Sequence, residues 1–127
     1  MMRIFLASLA ATAVIGGIAA WYFSGSSVAV AESIVEKCKS ETKGNVFCYE
    51  REVPALYPEM ALEDIFKIVR EIRTLDRSYQ FCHVVAHKLG EAAVAEDPSK
   101  WVDVIPLNPP NGLCSNGFIH GVIVGRF

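Results

Sequence analysis

The chain opens with an uninterrupted apolar stretch: residues 4–23 read IFLASLAATAVIGGIAAWYF and carry no charge. Beyond it, apolar positions recur on a helical period. The clearest case covers residues 59–75, where Leu62, Ile65, Val69 and Ile72 return every three or four positions. Glu63 and Asp64 fall in its first turn and Arg70 and Arg73 in its last, which complements the helix dipole. Helical patterns also cover residues 28–42, with Ile34, Val35 and Cys38 on one apolar edge, and residues 46–52, 77–95 and 113–126. Gly25-Ser26-Ser27 and Lys43-Gly44-Asn45 read as breaks, and Pro54 and Pro58 interrupt the chain between helices. Asp76 is placed to cap the helix over 77–95, which Asp97-Pro98 ends. Residues 99–105 fit one short amphipathic turn around Trp101, and Pro106 to Gly112 reads as an extended loop. No alternating β-type run is long enough for a sheet. The expected fold is all-α: a small helical domain over residues 28–127 behind an N-terminal anchor or signal segment over residues 1–27.

A run of about 20 apolar residues suffices to cross a bilayer as a helix. Arg3 precedes it, which keeps the N-terminus cytoplasmic, and Trp21-Tyr22-Phe23 close it like an interfacial aromatic belt. A cleaved signal peptide is the rival, with Ala29-Val30-Ala31 as the cleavage signal before Glu32. Both place the rest of the chain outside the cytoplasm: anchored to the membrane through residues 4–23, or secreted or periplasmic after cleavage at Ala31.

Composition narrows the function classes. Arg3 is the one charged residue among the first 31, so the remainder carries 11 Lys and Arg against 14 Asp and Glu. That balance offers no basic face of the size nucleic acid requires. The four cysteines, Cys38, Cys48, Cys82 and Cys114, are an even set in a short exported chain, which favours disulfides. Four cysteines permit three pairings; the expected one joins Cys38 to Cys48, a local staple, and Cys82 to Cys114. No phosphate-binding glycine loop, Gly-x-Ser-x-Gly or internal repeat is present.

The three histidines lie in two short stretches, Cys82-His83-Val-Val-Ala-His87-Lys-Leu-Gly90-Glu91 and Cys114-Ser-Asn-Gly117-Phe-Ile-His120-Gly121. His83 and His87, four apart on a helix, project from one face. With His120 they would form a three-histidine set suited to zinc, copper or iron, with a position left for water. Such a metal would activate water if the domain were catalytic. Glu91, one further turn along, is a candidate fourth ligand or general base. Gly117, Gly121 and Gly125 form a stripe that lets a second helix approach closely, and Ala86, Gly90 and Ala93 offer the matching surface. If Cys82 bonds Cys114 and the two helices run parallel, His87 and His120 reach nearly the same height, about 7.5 and 9 Å along their axes. Residues 96–113 are long enough to return the chain for that arrangement.

The combination C-H-x-x-A-H-x-x-G with C-x-x-G-F-x-H-G, over residues 82–121, resembles a motif set of exported or membrane-anchored bacterial proteins of unassigned function. Proteins of that kind carry further His, Gly and Cys motifs downstream, so the resemblance implies that the sequence is a fragment. The expectation is a membrane-anchored extracytoplasmic helical domain with a His-based transition-metal site. The alternative is a structural or protein-interaction domain without metal or catalysis, its protein partner unknown.

Overall fold

The computed structural model describes residues 26–41, 47–80 and 82–127. The expected anchor or signal segment over residues 4–23 and the turn at Lys43-Gly44-Asn45 lie outside the described residues. Among those described, every regular element is helical, and no helix is long and apolar enough to cross a membrane. The principal helices are α1 (Ser26–Ser40), α2 (Cys48–Glu52), α3 (Leu62–Leu75), α4 (Cys82–Val94), α5 (Trp101–Val104) and α6 (Gly117–Gly125). Short 3-10 turns at Pro54–Leu56, Pro98–Lys100 and Ile105–Leu107 join them.

The periodicity over residues 59–75 becomes α3. Leu62, Ile65, Val69 and Ile72 are buried, together with Phe66 and Ile68. Removing each such side chain from water contributes about 1.5–3 kcal/mol before entropy. The buried stripe of α1, Ala31, Ile34, Val35 and Cys38, packs along α3. Ser26 and Ser27, expected as a break, belong to α1.

Asp76 does not start the next helix as the sequence suggests. Its N–H closes α3 on the Ile72 carbonyl at 2.7 Å. Its carboxylate accepts the Ser78 N–H at 3.1 Å and the Tyr49 hydroxyl at 2.7 Å. Those bonds turn residues 77–80 aside, and α4 is described only from Cys82. Burial works against the Asp76 charge, but the bonds from Ser78 and Tyr49 outweigh it and hold the carboxyl below its usual range.

Phe66 of α3 meets Phe118 of α6 edge to face at 5.6 Å and joins the α1–α3 half to the α4–α6 half. In the second half the backbones themselves touch. A Cβ on Gly117 would lie 2.3 Å from the His83 carbonyl oxygen, one on Gly121 1.8 Å from that of His87, and one on Gly90 2.2 Å from that of Phe118. Gly125 faces Val94 and Glu91. Partners rise together along both helices, so α4 and α6 run parallel. The Gly121 Cα therefore lies within about 3.3 Å of the His87 oxygen, the range of a Cα–H···O contact.

Both disulfides have the expected pairing: Cys38–Cys48 joins α1 to α2, and Cys82–Cys114 ties the start of α4 to the segment before α6. That segment departs from the expectation twice. Ile105–Leu107 is a 3-10 turn and not extended, and residues 113–116 are not helical. Instead Cys114, Ser115 and Asn116 take positive φ values of 58°, 51° and 59°. For L-residues this costs about 1–2 kcal/mol each. The strain is held by the bond from Cys114 to Cys82 and by the Asn108 side-chain amide, which donates to the Asn116 side-chain oxygen at 3.2 Å.

Candidate functional site

The parallel α4–α6 pair brings the two histidine stretches side by side. His83 sits opposite Gly117 and His87 opposite Gly121, so His120 falls between them in height. The His83 and His120 rings are 5.2 Å apart between centroids, inclined at 68°. Metal–nitrogen bonds of about 2.0–2.1 Å and a ring radius of about 1.2 Å put two imidazoles on a tetrahedral ion about 5 Å apart. The observed spacing has that dimension. His83 is half-buried and His120 exposed.

One ring nitrogen of His83 is occupied: Nδ1 lies 3.1 Å from the Cys114 carbonyl oxygen, which can only accept, so Nδ1 carries the proton. In the neutral His83 ring this leaves Nε2 as the lone-pair nitrogen. His87 Nδ1 lies 3.2 Å from Glu91 Oε1 one turn further along. The Cys114 acceptor comes from the strained left-handed segment, so the backbone distortion and the ring orientation belong to one arrangement. Glu91, expected as a fourth ligand or base, lies beside the His87 ring.

The ligand atoms of His83, His87 and His120 do not all lie within 4.8 Å of one another; among the described residues only Glu41, Cys48 and Glu52 form such a group. That group has the dimensions of a cation site, but its chemistry is already spent. The Cys48 sulfur is bonded to Cys38. Arg51 pairs with Glu41 at 2.8 Å and Glu52 at 3.1 Å, and Lys37 with Glu52 at 2.7 Å. It is an ion-pair cluster that closes the α1–α2 connection.

A second polar cluster lies beneath α2. Glu50 is 5% exposed, and its Oε2 has no hydrogen-bond partner among the described residues. Burial pushes its carboxyl up, against a smaller opposing effect from Lys88. The Tyr79 hydroxyl is likewise buried without a partner there, and burial with the nearby Glu50 charge pushes its ionisation up. Neither residue drew attention in the sequence, because each falls within an ordinary polar stretch. No family model matches the chain, and no curated protein or solved structure is significantly similar to it.

Proposed function

We propose that this chain is a membrane-anchored, extracytoplasmic helical domain that binds a transition-metal ion at the α4–α6 seam, through Nε2 of His83 and the ring of His120. His87 is the third ligand and closes on the ion by a side-chain rotation. The observation that carries the proposal is the commitment of His83 Nδ1 to the Cys114 carbonyl, with the His120 ring 5.2 Å away. Metal-binding histidines are oriented in this way, the second ring nitrogen donating outward so that the first faces the ion. Imidazole donors suit zinc, copper or iron, with water in the remaining positions. Binding, and not catalysis, is the role this arrangement supports.

Two observations support the location. Paired cysteines suit an oxidising compartment. Ala31 is fully buried within α1 and Val30 packs against the same core, so the folded domain uses residues on both sides of the candidate cleavage point. That favours the retained anchor, and N-terminal sequencing of the purified protein tests it: a start at Glu32 contradicts it.

The metal reading is tested by elemental analysis and calorimetric titration of the purified full chain with zinc and copper. The expected result is one ion per chain. His120→Ala abolishes it without altering the helical circular dichroism, since His120 is exposed. Equal metal content in the parent chain and the His83→Ala/His120→Ala double variant overturns the proposal and leaves the histidines as packing residues.

A further inference from the structure

Three of the chain's six arginines, Arg70, Arg73 and Arg77, line one open cleft of about 550 Å3 at the end of α3. Arg70 and Arg73, three apart, share one face of α3, and Arg77 reaches the same cleft from beyond the bend at Asp76. All three are exposed. Most other described cations are engaged. Lys37 and Arg51 pair with Glu41 and Glu52, Lys67 with Glu63 and Asp64, and Lys100 with Asp97. Arg126 lies 4.5 Å over the Trp101 ring. All 14 acidic side chains of the chain lie among the described residues, yet none pairs with Arg70, Arg73 or Arg77.

The ordinary reason for a basic residue here is the helix dipole. The C-terminus of α3 presents roughly half a negative charge, which one arginine more than balances. Three exceed that need, and Arg77 lies beyond the helix. Glu71 is the one acidic group lining the cleft. Three guanidinium groups against one carboxylate leave a surplus of two positive charges, equal to the dianionic form of a phosphate group, which carries about −1.5 to −2 near neutral pH. The walls are fixed. The Tyr79 ring packs against that of Tyr49, with centroids 4.4 Å apart and planes inclined at 50°, and the Gln80 amide donates to the Arg77 carbonyl at 2.8 Å. The guanidinium fork matches phosphate oxygens two at a time.

We infer that the Arg70–Arg73–Arg77 cleft binds a phosphate group, carried by a soluble phosphate ester or by a phospholipid head. The site is separate from the histidine seam and does not depend on the metal reading. The test titrates inorganic phosphate into the full chain in a non-ionic detergent by calorimetry, with sodium chloride of matched ionic strength as control. The expected result is saturable one-to-one binding, weakened at least tenfold by Arg73→Gln and only partly restored by Arg73→Lys, which keeps the charge but loses the fork. In vesicles, loss of phosphate binding when phosphatidic acid, whose head is a phosphomonoester, is added to phosphatidylcholine assigns the site to a lipid head. Retention in both assigns it to a soluble ester. An equal response to chloride, or unchanged phosphate binding in the triple Arg→Gln variant, overturns the inference. Because all three side chains are exposed, the variants keep the fold, which circular dichroism checks.

Discussion

The two halves of the domain are held by opposite means. Between α1 and α3 the contact is made by large side chains, Ile34 and Val35 on one helix and Ile65, Val69 and Ile72 on the other. Between α4 and α6 it is made by backbone, with glycines seated against the carbonyls of His83, His87 and Phe118. Interdigitated side chains can repack around a swap that conserves volume. A carbonyl against a glycine Cα has no such freedom. The half with no slack is the one that carries the three histidines, so their spacing is set by main chain and not by packing.

That contrast can be broken at several points. In the chain-entropy account, opening the Cys82–Cys114 bond, with its sequence separation of 32, costs roughly 3.7 kcal/mol, against roughly 2.7 for Cys38–Cys48, whose separation is 10. Chemical denaturation of Cys82→Ala/Cys114→Ala and Cys38→Ala/Cys48→Ala variants checks the order. Only the first is expected to abolish metal binding as well, because it releases the Cys114 carbonyl from His83. Next in size, Gly121→Ala forces a methyl onto the His87 backbone and should cost about 3 kcal/mol, the upper end for overpacking. Ile72→Val in the other half should cost about 0.5–1.5 kcal/mol. Similar losses in the two variants would erase the distinction between the halves.

The smallest effect has the opposite sign. Burial raises the folded-state carboxyl of Glu50 above its ordinary value of 4.5. The folded chain therefore holds a proton that the unfolded chain has released, and stability falls as pH rises from 4.5 through the raised folded value. Glu50→Gln should remove that fall and exceed the parent in denaturant midpoint at pH 7 while matching it at low pH. Asp76 acts in the other direction: its contribution is complete above 3.8 and is lost as pH falls through its lowered folded value. Midpoints measured from pH 4.5 upward therefore isolate Glu50.

Much of the fold was legible because it rests on local periodicity. The four positions that marked α3 are all buried. Export made the cysteines readable as disulfides, and the glycine stripe pointed to its partner helix, but sequence alone permits three pairings and the structure selects one. What was hidden depends on contacts distant in sequence. Asp76 looked like a helix cap, but Tyr49, 27 residues away, and Ser78 turn it into a bend. Residues 113–116 looked helical because Cys114 and Ser115 carry no mark of a left-handed backbone. The histidines were found as residues, but not their orientation: the acceptor for His83 is a carbonyl 31 residues away, and a carbonyl has no sequence signature. Arg70 and Arg73 were read as dipole partners, since a sequence does not reveal which charges lack a mate.

The parallel course of α4 and α6 also has a kinetic consequence. An antiparallel pair could close as a hairpin soon after its turn forms. Here residues 95–116 must first double back over the length of α4, and closure of that loop comes before any glycine contact repays it. The seam therefore belongs to the late part of folding. His83 and His120 meet only in a chain that has nearly finished, so an ion that needs both would be captured by the completed domain and not by its precursors.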